Sequence, residues 1–285
     1  MSVRNYKELE NHIIDICNNK TNIVLQGVKY ELSKAGRPIV KGDGECKTDV
    51  LIRLYKHVNN LNDFFDIKIS IKQSNAEFLA NKLKPIDAEN LFGENWKEIV
   101  IQSVETIKDK FEGKKLSTTS KKNGMRYTLG WRLEVANKSR VLASKLQIPK
   151  QEIIDVIYKG KSLSDDKKNA YVFGHEVKNS GIADFLLEGN KGDFNSIEDV
   201  LNKIQEMDSL IVNNVHLIFT ASNYFPDKDS KIEGNRYLAV YVDWDVIDNE
   251  LKSSIVFDQP LKYKGVDDIL PSLLKAIDQP VQSSN

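Results

Sequence analysis

The sequence predicts a mixed α/β fold with a central mixed β-sheet flanked by helices. Three observations predict it: an N-terminal run with apolar residues at helical spacing, two β-rich runs split by turn formers, and an alternation of helical and strand-like stretches beyond them. The 285 residues are 40% hydrophobic and 29% charged, enough to bury one large core or two modest ones. The N-terminus has no apolar signal core and the chain no long apolar run, so a protein that stays in the cytoplasm, off the membrane, is expected. Cys17 and Cys46 form no CxxC pair, which argues against a disulfide scaffold and a structural zinc site.

Tyr6, Leu9, Ile13 and Ile16 place a helix at about 5–17. Residues 22–25 read as a short strand, and AGRPIVKGDGECK as a glycine-bearing loop. Residues 49–55 and 64–72 are β-rich, and the turn formers between them close a hairpin. Ser74 and Asn75 offer N-cap oxygens to a helix through Ala76, Phe78, Leu79 and Leu83 that stops at Pro85. Further helices are expected at 96–111, 135–146, 151–158, 182–187 and 197–207, the last led by the capping pattern Ser196-Ile-Glu-Asp199. Strands are expected near 171–173, 215–221, 237–244 and 254–257, with a closing helix at 267–277 and a disordered tail after Pro280. The organisation expected is a core over 1–112 and a basic segment with an α+β remainder over 113–285, packed together as one compact unit.

Lysine and arginine balance aspartate and glutamate at 41 each, yet the charge is unevenly spread. Residues 113–161 hold twelve bases against three acids, a net +9 that the rest of the chain must offset. Such polarity can present a cationic surface to phosphates, although charge runs commonly mark only a solvated face. Within it, KKLSTTSKKNGMRYTLGWR has no acid and six cations, Lys114, Lys115, Lys121, Lys122, Arg126 and Arg132, with Tyr127 and Trp131 interleaved. That composition suits a clamp on a DNA backbone. Asn223 and Tyr224 in TASNYF and Arg236 in EGNRYL are further candidate DNA contacts, and equally able to pin loops.

A hairpin turn centred between Asn60 and Leu61 sets Asp49 opposite Lys72, with Ser70 one side-chain step away on the same face. Asp66, Lys68, Ser70 and Lys72 share that face, and Ile67, Ile69 and Ile71 the other. A polar row of this kind is costly to bury, so it is expected to border a solvent-filled cleft.

An initial helix, an Asp opening the first hairpin strand, and a second strand ending in x-x-Lys resemble the PD-(D/E)xK nuclease core of many type II restriction endonucleases. The resemblance runs over about 5–83, carried by GDGECKTDV and IKISIKQSNAEFL. It implies a restriction-endonuclease-like core that cleaves DNA phosphodiester bonds, with Asp49 binding Mg²⁺ and Lys72 positioning or deprotonating the attacking water. Ser70 stands where the family has its second acid, so a carboxylate must come from elsewhere; Glu10 and Glu45 are the candidates. The pattern [DE]xK is common by chance in so charged a chain. It recurs as Asp66-Ile-Lys68 and in His175-Glu-Val-Lys178, which also reads as an exposed turn.

An Asp and a Lys without a second acid also suit a metal-independent DNA glycosylase. The carboxylate would stabilise an oxocarbenium-like sugar and a desolvated lysine would attack C1′, in phage defence or repair, with Trp131 or Tyr224 holding an extruded base. A catalytically silent DNA-binding protein is the third expectation. The sequence leaves the oligomeric state open, a homodimer included.

Overall fold

The structure, a computed structural model, describes residues 4–20, 22–25, 27–42, 44–56, 63–74, 78–80, 82–121, 124–212, 214–227 and 231–278. The chain is mixed α/β and divides into two units, 1–76 with 149–212 and 77–148 with 213–285. The 112/113 boundary expected from composition falls inside the second unit, because strand pairing across more than a hundred residues, not local composition, decides where each segment packs. The hairpin turn at 57–62, Ala76, Lys122 and the tail after Pro280 lie outside the described residues.

The first unit opens with helix α1 (Arg4–Asn18), whose Leu9, Ile13 and Cys17 lie fully inside at a spacing of four. Strands β1 (Asn22–Leu25), β2 (Val28–Gly36), β3 (Val50–Tyr55) and β4 (Phe64–Lys72) follow as antiparallel neighbours. Strand β5 (Phe185–Glu188) then joins β4 in parallel, and after helix α2 (Ile197–Lys203) the short β6 (Gln205–Glu206) closes the order β1-β2-β3-β4-β5-β6. One face of the sheet packs Val50, Ile52, Leu54, Ile67, Ile69 and Ile71 against α1 and α2. On the other face Arg53 makes a bidentate pair with Asp66, 2.7 and 2.8 Å. Helix α2 begins with the expected capping box, in which Ser196 Oγ accepts the Asp199 amide at 3.2 Å and the Asp199 carboxylate accepts the Ser196 amide at 3.0 Å.

The second unit is built on an eight-stranded sheet around the long strand Gly124–Ala136, which pairs with His216–Phe225, Val240–Ile247, Ser117–Ser120 and Phe78–Ala80. Phe111 is fully buried at its centre, edge-on to Trp131 at 5.0 Å and Phe219 at 5.4 Å.

Several expected elements are corrected. Phe78–Ala80 is a strand, and the helix starts at Pro85 instead of ending there, because proline's fixed φ and missing N–H suit a first helical turn. Residues 135–146 hold the end of one strand and the short strand Ala143–Lys145, and 182–187 lead into β5. In each, a short apolar run reads as either state, and pairing to a distant strand selects β. The stretch 197–207 is helical only to Lys203.

Candidate active site

Asp49 and Lys72 sit at the same end of the β3/β4 pair, but not face to face. The register sets Val50 against Ile69, two residues off the expected one, so Asp49 falls opposite Ser70. A slip of two preserves the face, since side chains alternate with period two, and Asp49, Ser70 and Lys72 remain on one side. The Asp49 amide donates to the Ile69 carbonyl at 2.9 Å. Its Oδ2 accepts the Ile71 amide at 2.6 Å and the Ser70 hydroxyl at 3.3 Å. Burial pushes the Asp49 carboxyl above its ordinary range; the Lys72 ammonium, the Ile71 amide and the Ser70 hydroxyl pull against that, and Glu45 reinforces it.

Glu10, on α1, lies near enough to Asp49 for its carboxyl to feel that charge. Its carboxyl is also raised, first by burial and then by the Asp49 charge, while Arg37, paired with it at 2.6 Å, draws it down. Glu45 is exposed on the loop before Asp49 and acts on both carboxylates through space. Of the two proposed auxiliary acids, Glu10 is thus the one held within the fold. Burial pushes the Cys46 thiol up to about 11, with the Asp49 charge adding to it, so no thiolate forms here at neutral pH.

The polar row on β4 is largely paired instead of lining an open cleft. Ser70 is buried, Asp66 is held by Arg53, and Lys68 pairs with Asp184 of the β5 approach at 2.9 Å. Asp66-Ile-Lys68 therefore spends both charges on structure, and Lys72 is left half-buried beside Asp49. The register also places Glu188 of β5 directly beside Lys72, an acid invisible to the sequence reading because its segment reads as helical. Glu176 and Lys178 are exposed on and beside the small ladder of Tyr171–Val172 with His175–Glu176.

The donors here are hard oxygens, as Mg²⁺ requires, and Mg²⁺ needs only one or two carboxylates because it keeps much of its water. Asp49 and Glu10 meet that requirement as two desolvated carboxyls, the Asp49 charge raising that of Glu10, and the Thr48 hydroxyl, next to Asp49 in sequence, is buried without a hydrogen-bond partner. They fit a water-rich site and not a closed cage: among the described residues no group of three His, Cys, Asp or Glu side chains is arranged to hold a metal ion.

The candidate DNA-contacting residues all belong to the second unit. Lys114, Lys115, Arg126, Trp131 and Asn223 line one cleft there. Lys121 and Arg236 are exposed, and Arg132 donates to the Glu233 carbonyl at 3.4 Å. Trp131 and Tyr224 are 2% and 5% exposed, so neither ring is free to clasp an extruded base; both belong to the packed interior. Asn223 is fixed between Glu233 at 2.8 Å and Thr128 at 3.1 Å. Among the described residues no helix is long and apolar enough to cross a membrane. Comparison of the chain with protein-family models, with curated proteins and with solved structures gave no match in any of the three.

Proposed function

We propose that the first unit hydrolyses phosphodiester bonds in DNA with Mg²⁺, at a site made by Asp49, Lys72 and Glu10. The observation that carries this reading is the Asp49 carboxylate, desolvated yet tied by Ile71 and Ser70 to the strand that ends in Lys72. Burying an ionised carboxyl costs free energy, and a fold that keeps one half-covered beside a second acid and an ammonium is organised for charge, not for packing. Bound between Asp49 and Glu10, Mg²⁺ would supply Lewis-acid polarisation of the phosphoryl oxygen. Lys72 orients the attacking water and offsets the charge that gathers on the phosphoryl group. Water oxygen bonds to phosphorus, the bond to the leaving strand oxygen breaks and that oxygen takes a proton from solvent, and Glu10, its carboxyl raised by burial and by the Asp49 charge, accepts the proton that the water sheds. Ser70 keeps Asp49 aimed along the strand.

The test is incubation with native and base-modified genomic DNAs, with Mg²⁺ or with EDTA, followed by alkali. Strand breaks that need Mg²⁺ and vanish in Asp49→Ala and Lys72→Ala are expected. Damage that persists in EDTA and appears only after alkali would mean base excision without metal. Binding with no strand or base loss would mean a silent DNA-binding protein. Either result overturns the proposal.

A further inference from the structure

The second unit contains a cleft of about 370 Å³, at the lower end of the roughly 300–1,000 Å³ typical of small-molecule sites. Four cations line it: Lys114 and Lys115 just after the Lys108–Glu112 helix, Arg126 on the central strand, and Arg140 on the following loop. None of its lining residues is acidic. The Nε of Arg126 is buried and has no hydrogen-bond partner, a donor left without an acceptor. The opposite character comes from Trp131, Phe219 and Leu142, with Val141 at the lip 67% exposed.

A β-bulge joins the two halves. Ser222 pairs with Gly130 but Asn223 pairs with Thr128, so Leu129 is an extra residue on the central strand. The extra residue resets the alternation and turns Thr128 and Trp131 to the same side. Gly130 sits at φ +150, and a Cβ there would strike the Val240 carbonyl, so the bulge is held by a residue that only glycine fills. Thr128 donates to Asn223 Oδ1 at 3.1 Å, and Glu233 holds the Asn223 amide group at 2.8 Å, fixing a polar edge beside the apolar wall.

We infer that this cleft binds a single nucleoside 5′-monophosphate unit, its phosphate among the four cations and its base over the exposed Val141 at the lip, above a closed floor of Trp131, Phe219 and Leu142. A dianion answers the cation set and the unpaired Arg126 donor. A planar heterocycle answers an apolar wall edged by one fixed hydrogen-bonding pair, and the volume admits one nucleotide and not a duplex. The inference concerns a site separate from Asp49 and holds whether or not the first unit cuts DNA.

Calorimetric titration of the full chain in EDTA, where the proposed hydrolysis is silent, tests it with deoxyadenosine 5′-monophosphate, deoxyribose 5-phosphate and inorganic phosphate. The nucleotide is expected to bind at least tenfold more tightly than either base-free probe. Arg126→Ala and Val141→Glu, the latter a surface change that spares the fold, are each expected to weaken it at least tenfold. Equal binding of all three probes would reveal an unspecific anion patch. Undiminished nucleotide binding in Val141→Glu would place the ligand elsewhere. Both results overturn the inference.

Discussion

The Asp49 carboxylate stands 3.3 Å from the Ser70 hydroxyl and 2.6 Å from the Ile71 amide, so it is moored to the neighbouring strand through Oδ2. Burial raises its carboxyl more than Lys72 and these two hydrogen bonds lower it. The folded chain therefore holds a proton there more tightly than the unfolded chain does. Stability from this group is present at low pH and is lost as pH rises through the folded value. Asp49→Asn, which keeps an acceptor for Ile71, is expected to raise Tm at pH 7 while abolishing cleavage. The gain should shrink as pH falls below the ordinary aspartate range. Thermal unfolding from pH 3 to pH 8 checks this; a lower Tm at pH 7 would mean that the ionised form is the stabilised one.

Ser70→Ala removes one hydrogen-bond donor to Asp49 and is expected to cost about 1 kcal/mol in urea unfolding. Ser70→Glu puts a second acid beside a carboxylate that already lacks solvent. In EDTA its Tm should fall well below that of the wild type, through like-charge repulsion in a desolvated place. Millimolar Mg²⁺ should restore much of the loss, and restore more of it than Ca²⁺-free buffer with added NaCl of equal ionic strength. No recovery with Mg²⁺ would count against a cation between Asp49 and its neighbours.

On the proposed reading, the Glu10–Arg37 pair is expected to set a pH limb. Arg37 lowers a Glu10 carboxyl that burial and Asp49 raise, so removing the guanidinium leaves only the raising influences. In Arg37→Ala the acid limb of the cleavage profile should move to higher pH, with the plateau above it less affected. An unmoved limb would take Glu10 out of the proton transfer.

Much of the architecture was legible because period and face survive errors of register. Leu9, Ile13 and Cys17 mark a helix whatever it packs on, and Ile67, Ile69 and Ile71 alternate with polar partners whatever strand they meet. The hairpin register was not legible, since eight residues separate Tyr55 from its partner Phe64 and the sequence alone does not fix where between them the chain reverses. The error of two left Asp49, Ser70 and Lys72 on one face, which is why the site residues come together despite it. Strand β5 was hidden for a different reason: Phe185–Glu188 is four residues long, and only its partners in the sheet, β4 and β6, distinguish it from helix. With it went Asp184 and Glu188, the acids beside Lys68 and Lys72. The approach of Glu10 to Asp49 is likewise a matter of how α1 lies on the sheet, which helical spacing alone does not specify.

Gly181 holds the segment that delivers Asp49, which makes a distant test of the site. Its carbonyl accepts the Lys47 and Thr48 amides at 2.9 and 3.3 Å, and its own amide donates to Lys168 at 2.8 Å. A Cβ at this position would be driven into the Lys167 carbonyl and would stand 2.8 Å from Cys46 Cβ, so the two backbone segments close on each other only over glycine. Gly181→Ala must part them, at a cost of about 1–3 kcal/mol for an overpacked interior. The displacement falls on Lys47 and Thr48, immediately before the carboxylate, so cleavage should drop by more than the lost stability accounts for at a temperature where the variant stays folded. Gly192→Ala, where an added Cβ meets nothing within 4 Å, is the matched control and should leave both unfolding and cleavage within error. If Gly181→Ala unfolds early yet cleaves at the wild-type rate while folded, the Lys47–Thr48 clamp does not position Asp49.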